Sequence, residues 1–278
     1  MAEMPIGDIP TALLAHAAVR TGWYSTVLTK VWEPGTPQER AEQAGCGTFV
    51  RTGDVYGILT AHHVAELFEG GWYLGLLLVE TVHTHSVRPD YFDIIHIATG
   101  PHECRSPDLS FIRIHKPYIG TINAYKSFYS LDAYEQQLLH SPPEISSGTW
   151  FLFGAPAIHT TDEGAEGGFK ASRGYHSMCG ATGVEPADPV DGYDFLSAVA
   201  EYTPVTTTPV DFHGVSGGGL WHTLLHKRPD GTIDDYDYIL SGVVLCQSAV
   251  VAARRYIRCH GPASIYSQAL HAIRLRCA

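Results

Sequence analysis

The stretch Gly214-Val215-Ser216-Gly217-Gly218-Gly219-Leu220 sets one hydroxyl among four glycines in the second half of a 278-residue chain. Glycine has no Cβ, so the main chain can bend sharply there and turn the N–H groups of Gly214 and Ser216 toward one point. A bulky side chain at 217 or 218 would crowd any chain approaching the serine. Two earlier stretches supply what a serine hydroxyl lacks at neutral pH. Gly57-Ile58-Leu59-Thr60-Ala61-His62-His63-Val64 ends an apolar run on small residues and delivers an imidazole, and Pro107-Asp108-Leu109-Ser110-Phe111-Ile112 leads a carboxylate into another apolar run. An imidazole can take the hydroxyl's proton, and a carboxylate fixes the imidazole's tautomer and stabilises its charged form. On the residues alone, His62 competes with His63, and Asp93, which precedes Ile94-Ile95, competes with Asp108.

Outward from these stretches, the chain reads as strands and turns. With 28 Gly, 17 Pro and 11% aromatic residues, and without heptads, a helical bundle fits poorly. At 45% apolar and 17% charged it can build a large core, which excludes a disordered chain. A helix is expected from Thr11 to about Arg20, between Pro10 and Gly22, with Leu13, Leu14, Ala17 and Ala18 on one face. Strands are expected over 24–32, 47–51, 55–60, 73–80, 91–98 and 109–115, with a loop at 33–44 and a hairpin turn at Thr52-Gly53-Asp54. A linker at 140–148 contains Pro142 and Pro143; strands follow over 149–154, 195–203, 220–225 and 238–246. A Gly-rich loop is expected at 160–169 and a turn at Pro229-Asp230-Gly231. After Pro262, the pattern Ile265, Ala269, Leu270, Ile273 predicts a closing helix over 263–275. The organisation is thus an all-β protein: an N-terminal extension, 1–23; a first β-rich half, 24–139, carrying His and Asp; the linker; and a second half, 149–278, carrying Ser.

Charge and cysteine usage narrow the partners. Eighteen basic against 29 acidic residues give a net charge of −11, which repels phosphate backbones and anionic membranes. The densest basic cluster is only Arg254-Arg255 with Arg258, so neither nucleic acid nor a membrane is an expected partner. Sixteen His include the scatter His83, His85 and His96, but no H-E-x-x-H or C-x-x-C pattern occurs, so neither a metal nor another cofactor is expected. Asp234, Asp235 and Asp237 read as a solvated acidic loop. The cysteines, Cys46, Cys104, Cys179, Cys246, Cys259 and Cys277, are widely spread and read as free thiols, Cys46 as a small buried filler. The first 30 residues carry Glu3, Asp8 and His16 and lack a secretory pattern, and the longest apolar window, Trp72 to Val79, is too short to span a bilayer. The expectation is a soluble, cytoplasmic protein.

Taken in order, the three stretches resemble the trypsin/chymotrypsin-like serine peptidases, whose histidine segment runs T-A-A-H, whose aspartate opens a D-L-A-type strand and whose serine lies in G-x-S-G-G. The order His, Asp, Ser is also theirs. The resemblance runs over roughly 24–276, most of it matched in style alone. It implies two packed six-stranded antiparallel β-barrels of chymotrypsin-like form with a C-terminal helix, and a serine endopeptidase acting on a protein or peptide. Laying Leu59-Thr60-Ala61 on the family's L-T-A makes His63 the general base; Ser110, matching the small residue two places after the family's aspartate, favours Asp108. Ser216 is then the nucleophile, with Gly214 and Ser216 supplying the oxyanion N–H pair. The primary specificity pocket would be walled by 208–213 and 244–248, with Val210, Asp211, His213 and Leu245 as substrate-binding candidates. Asp211 would select Lys or Arg, Val210 lies nearer the pocket floor, and His213 could favour acidic residues.

Three departures stand out: Val215 where secreted members have an aspartate that pairs with a new amino terminus, Val64 where many have a cysteine, and Gly219-Leu220 in place of Gly-Pro. They imply the intracellular bacterial type without a PDZ-like segment, and a latency, if any, set by a regulatory protein partner rather than by propeptide removal. Two other readings stand beside it. One is a protease-like fold kept as a latent or inactive binding module. The other is a serine esterase, since Gly214-Val215-Ser216-Gly217-Gly218 also satisfies G-x-S-x-G and His260 or His271 follows it.

Overall fold

The computed structural model describes residues 11–36, 38–78, 84–100, 104, 106–163, 172–174, 178–202, 208–227 and 233–277. Helix α1, Thr11–Gly22, leads into β1, Ser25–Trp32, which pairs antiparallel with β2, Arg40–Thr52. A tight turn at Gly53, with φ +52°, returns the chain into β3, Val55–Thr60. Then come α2, His62–Glu66, β4, Tyr73–Leu77, and β5, Thr84–Val87, followed by β6, Phe92–Thr99, and β7, Asp108–Ile114. Helix α3, Lys116–Asn123, the two-residue β8, Tyr129–Ser130, and α4, Glu135–His140, complete this half. Its sheet runs β5-β4-β1-β2-β3-β7-β6, with β8 parallel on β2.

The second half begins at β9, Thr149–Gly154, with a short pair formed by β10, Thr161–Glu163, and β11, Ser172–Gly174. Four long strands follow: β12, Met178–Val190, β13, Tyr193–Glu201, β14, Gly219–Lys227, and β15, Ile233–Gln247. With β16, Arg254–His260, they close an antiparallel barrel in the order β12-β13-β16-β15-β14-β9. A π turn over Ser264–Ala269 then continues as α5, Leu270–Cys277.

One apolar core joins the halves. Leu59, Leu109, Phe111 and Tyr129 from the first meet Phe151, Trp221, Leu240 and Val243 from the second, under Ile265, Leu270 and Ile273 of the closing helical segment. Trp221 is fully buried and stacks on Tyr24 at 5.7 Å between ring centroids. Each large side chain buried this way contributes roughly 1.5–3 kcal/mol, so the two halves are held by many such contacts rather than by a hinge. Among the described residues no helix is long and apolar enough to cross a membrane.

Several expectations need correction. The second half is a closed six-stranded barrel, but the first is an open eight-stranded sheet. Closure would need β5 to pair with β6, but among the described residues no ladder joins them, and the chain passes from one to the other through a 3-10 turn begun by Pro89. Cys104 and Cys246 are bonded to each other rather than free, a pairing across 142 residues that sequence spacing does not reveal. The acidic run Asp234, Asp235, Asp237 lies within strand β15, not in a loop. Strand β12 goes unsignalled because Pro186 and Pro189 interrupt it, and β16 because Arg254, Arg255 and Arg258 hide its apolar face. The turn at Pro229-Asp230-Gly231, Val79, His83, and residues 164–169 of the expected Gly-rich loop lie outside the described residues.

Candidate active site

Strand β3 ends at Thr60, and extended Ala61 turns the chain into α2, so that His62 and His63 open a helix beside the cleft. His62 is buried. Its Nδ1 lies 3.1 Å from Ser110 Oγ and 3.1 Å from His96 Nδ1, and His96 Nε2 meets Glu69 at 2.8 Å. His63 instead lines the cleft, with its side chain 31% exposed. Asp108, at the start of β7, holds it twice: Oδ2 accepts from His63 Nδ1 at 2.5 Å and Oδ1 accepts the His63 main-chain N–H at 2.9 Å. Burial alone would raise the Asp108 pKa. The hydrogen bonds and charge of His63, with a smaller contribution from His260, carry it below the ordinary carboxylate value. The carboxylate is therefore ionised, and a proton held on His63 Nδ1 leaves Nε2 as the basic nitrogen. The competing Asp93 is outside the cleft, half exposed and paired with His115 at 2.8 Å.

Ser216 lines the same cleft, and its Oγ donates to the Leu245 carbonyl at 3.2 Å. Its turn is bolted on both sides. Cys46 N–H donates to Ser216 O, Gly217 N–H to Val244 O, Gly218 N–H to Val215 O and Val215 N–H to Phe212 O. Gly217 sits at φ +84°, where a Cβ would run into Cys46 O and Thr60 Oγ1. Val215 is fully buried in one apolar cluster with Trp150, Leu152, Phe212, Leu220 and Val244, so apolar packing anchors the turn.

The orientation of the Gly214 N–H follows from peptide geometry. His213 O accepts from Ala157 N at 2.7 Å, and no peptide bond among the described residues is cis. In a trans peptide the carbonyl and the next N–H point opposite ways, so Gly214 N–H is turned away from Ala157. Among the described residues neither Gly214 N–H nor Ser216 N–H donates a hydrogen bond. Gly214 holds this conformation at φ +88°, and its carbonyl accepts from Gln43 Nε2 at 3.2 Å and from Cys46 Sγ at 3.1 Å. Cys46 Sγ in turn accepts from Ala155 N–H at 3.2 Å. Burial pushes the Cys46 thiol up to about 12, so it stays neutral and serves as a relay between the two main chains.

The cleft has a volume of about 520 Å³, and its deeper walls are Phe212, Val244, Leu245 and Ile257. Cys104 and Cys246, joined by their disulfide, form part of the lining. Of the substrate-binding candidates, His213 and Leu245 line it, whereas Val210 is 63% exposed and lies outside the lining. Asp211 is also outside and already engaged. Its carboxylate accepts from Gln247 Nε2 at 2.5 Å and from His213 N–H and Nδ1, which together hold its pKa down to about 2. Among the described residues no group of three or more His, Cys, Asp or Glu is arranged to hold a metal ion. After Ser216 the chain enters strand β14 at Gly219, so the strand-turn-helix elbow of the esterase reading is not formed.

Sequence reasoning missed three supports. Gln43 and Cys46 brace the Gly214 carbonyl, and buried His260 accepts the Asp108 main-chain N–H at 3.0 Å. Only the glycines flanking Cys46 signalled close packing there, and nothing near His260 pointed to Asp108.

No protein-family model matches the sequence, and no curated protein matches it. Among solved structures, the HtrA-type protease AlgW with decapeptide aligns over 94% of this chain and 67% of that chain, at 14% identity and a TM-score of 0.47. A variant of AlgW, also with decapeptide, aligns over 95% and 68%, at 13% identity and a TM-score of 0.46. At these identities no residue role transfers from one chain to the other.

Proposed function

We propose that the chain is a serine endopeptidase that hydrolyses peptide bonds through Ser216, His63 and Asp108 and an acyl-enzyme intermediate. The observation that carries this reading is the double hold of Asp108 on His63, on a cleft shared with Ser216, whose turn carries two main-chain N–H groups, of Gly214 and Ser216, that donate to nothing among the described residues. Ser216 Oγ leaves the Leu245 carbonyl and attacks the substrate carbonyl carbon as His63 Nε2 takes its proton. The developing oxyanion accepts from Gly214 and Ser216 N–H. His63 then protonates the departing amine, and water, deprotonated by His63, releases the acyl group from Ser216.

The cleft walls favour an uncharged, apolar side chain ahead of the scissile bond. Phe212, Val244, Leu245 and Ile257 offer no charge; of the acids at the cleft, Asp108 is taken up by His63 and Glu66 stands on the His63 helix, and Asp211, outside the lining, is held by Gln247 and His213. A turn already locked with buried Val215 fits a site that needs no new amino terminus.

The test compares wild type with Ser216→Ala, using a fluorophosphonate probe and hydrolysis of an unstructured protein. Labelling and hydrolysis are expected only in wild type. Equal labelling or equal turnover by the two proteins rejects the proposal.

A further inference from the structure

We infer that His260 is a positioning residue for Asp108: by accepting its main-chain N–H, the imidazole ties the carboxylate that holds His63 to the barrel that carries Ser216. The inference rests on the proposed roles of His63, Asp108 and Ser216. Asp108 opens β7 in the first half, and His260 ends β16 in the second, so the 3.0 Å bond from Asp108 N to His260 Nε2 crosses between the halves. On the barrel side the link is rigid. His260 is in register with Phe195 of β13 and Val243 of β15. The next residue, Val244, exchanges main-chain bonds with Gly217 and Gly218 directly after Ser216. Asp108 is thereby held at both ends, its carboxylate by His63 and its amide by His260.

The chemistry of the ring shows why it is histidine. An amide can only donate, so Nε2 must present its lone pair, and the neutral ring then carries its proton on Nδ1. That Nδ1 is buried and has no hydrogen-bond partner among the described residues. Phenylalanine would pack as well against Phe195 and Tyr193, whose rings lie 4.9 and 5.7 Å away, and would bury no orphan N–H. What it cannot do is accept the Asp108 amide. The charged groups facing the ring are Asp108 from β7, Asp194 from β13 and Arg258 from its own strand. Burial, with Arg258 acting the same way, outweighs the two carboxylates and lowers the His260 pKa to about 4, so the accepting neutral form prevails at neutral pH.

The test uses the full chain. In the unaltered protein, imidazole nitrogen NMR is expected to find His260 neutral at pH 7 and protonated on Nδ1; a proton on Nε2 overturns the inference. In His260→Phe, kcat is expected to fall roughly 10- to 100-fold with KM little changed. The low-field proton resonance of the His63–Asp108 hydrogen bond should move upfield or broaden. His260→Gln, whose side-chain carbonyl can accept the amide, should recover part of both. A folded His260→Phe with unchanged kcat and an unchanged low-field resonance overturns the inference. If that variant does not fold, the nitrogen spectrum of wild type and the resonance in His260→Gln still decide. Both spectra are independent of turnover. Failure of Ser216 to react with a fluorophosphonate therefore rejects the peptidase reading separately from the link between His260 and Asp108.

Discussion

Both carboxylate oxygens of Asp108 are committed to His63, one to ring Nδ1 and one to the main-chain N–H at the start of α2. The pair fixes the ring's tautomer and its rotation together, which a single hydrogen bond would not. Asp108→Asn keeps the shape but offers an NH2 group on one side, so either Nδ1 loses its acceptor or the tautomer inverts. Turnover is expected to fall by about 10³- to 10⁴-fold with KM nearly unchanged. Steady-state kinetics on a peptide substrate measure this, and a loss under tenfold would mean that Asp108 does not orient the base.

Gly214→Ala tests the N–H pair. The position has φ +88°, and an added Cβ would lie 2.5 Å from Gln43 Nε2 and 2.9 Å from Ala155 O. The peptide before it is expected to rotate, carrying the Gly214 N–H out of line with the oxyanion. A loss in kcat of about 10²- to 10³-fold is expected, with fluorophosphonate labelling slowed in parallel. Unchanged kcat in a folded variant would remove Gly214 from the oxyanion site.

The stretches that carry Ser216, His63 and Asp108 to one cleft were legible in the sequence because the roles proposed for them place their demands on a few consecutive residues, whereas the choice of His63 over His62 and of Asp108 over Asp93 came from the family resemblance. What supports them was not. Cys46 reaches Gly214 across 168 residues, and His260 reaches Asp108 across 152, so neither bond leaves a local trace. The same distance hid the Cys104–Cys246 bond. In the fold, apolar strands such as β3 and β9 stood out, whereas β12 was masked by prolines and β16 by arginines. That the first sheet stays open is a matter of which strands pair across the sheet, which residue patterns do not encode.

The Cys104–Cys246 bond joins the segment before Asp108 to the strand that forms a cleft wall, closing a loop of 142 residues. The chain-entropy model assigns a loop of this span about 5 kcal/mol, at the upper end of the range found for disulfides. Cys104→Ser is expected to lower the urea midpoint accordingly, and a dithiol reductant should reproduce the effect in wild type but not in the variant. Structural disulfides are rare in a reducing cytosol, so alkylation of thiols in intact cells followed by mass analysis bears directly on the expected cytoplasmic location. A reductant effect equal in both proteins would exclude this bond as its source.

The acid stability of the fold should carry the signature of His260. Its pKa falls from an unfolded value near 6.5 to about 4 in the native state. Below pH 6.5 the unfolded chain therefore binds a proton that the native protein refuses. Stability declines as the pH falls toward 4 and levels off below it, a loss of roughly 3 kcal/mol at most. Asp108 acts lower: its folded pKa lies below the ordinary 3.8, so its contribution is complete above that value and disappears as the pH falls through the folded pKa. His222, whose pKa burial also lowers, is common to wild type and His260→Gln and cancels between them. The difference in unfolding free energy between the two proteins, from urea titrations at steps between pH 7 and 4, should shift toward the variant as the pH falls. Parallel stability curves over that range would show that His260 is not a buried neutral imidazole.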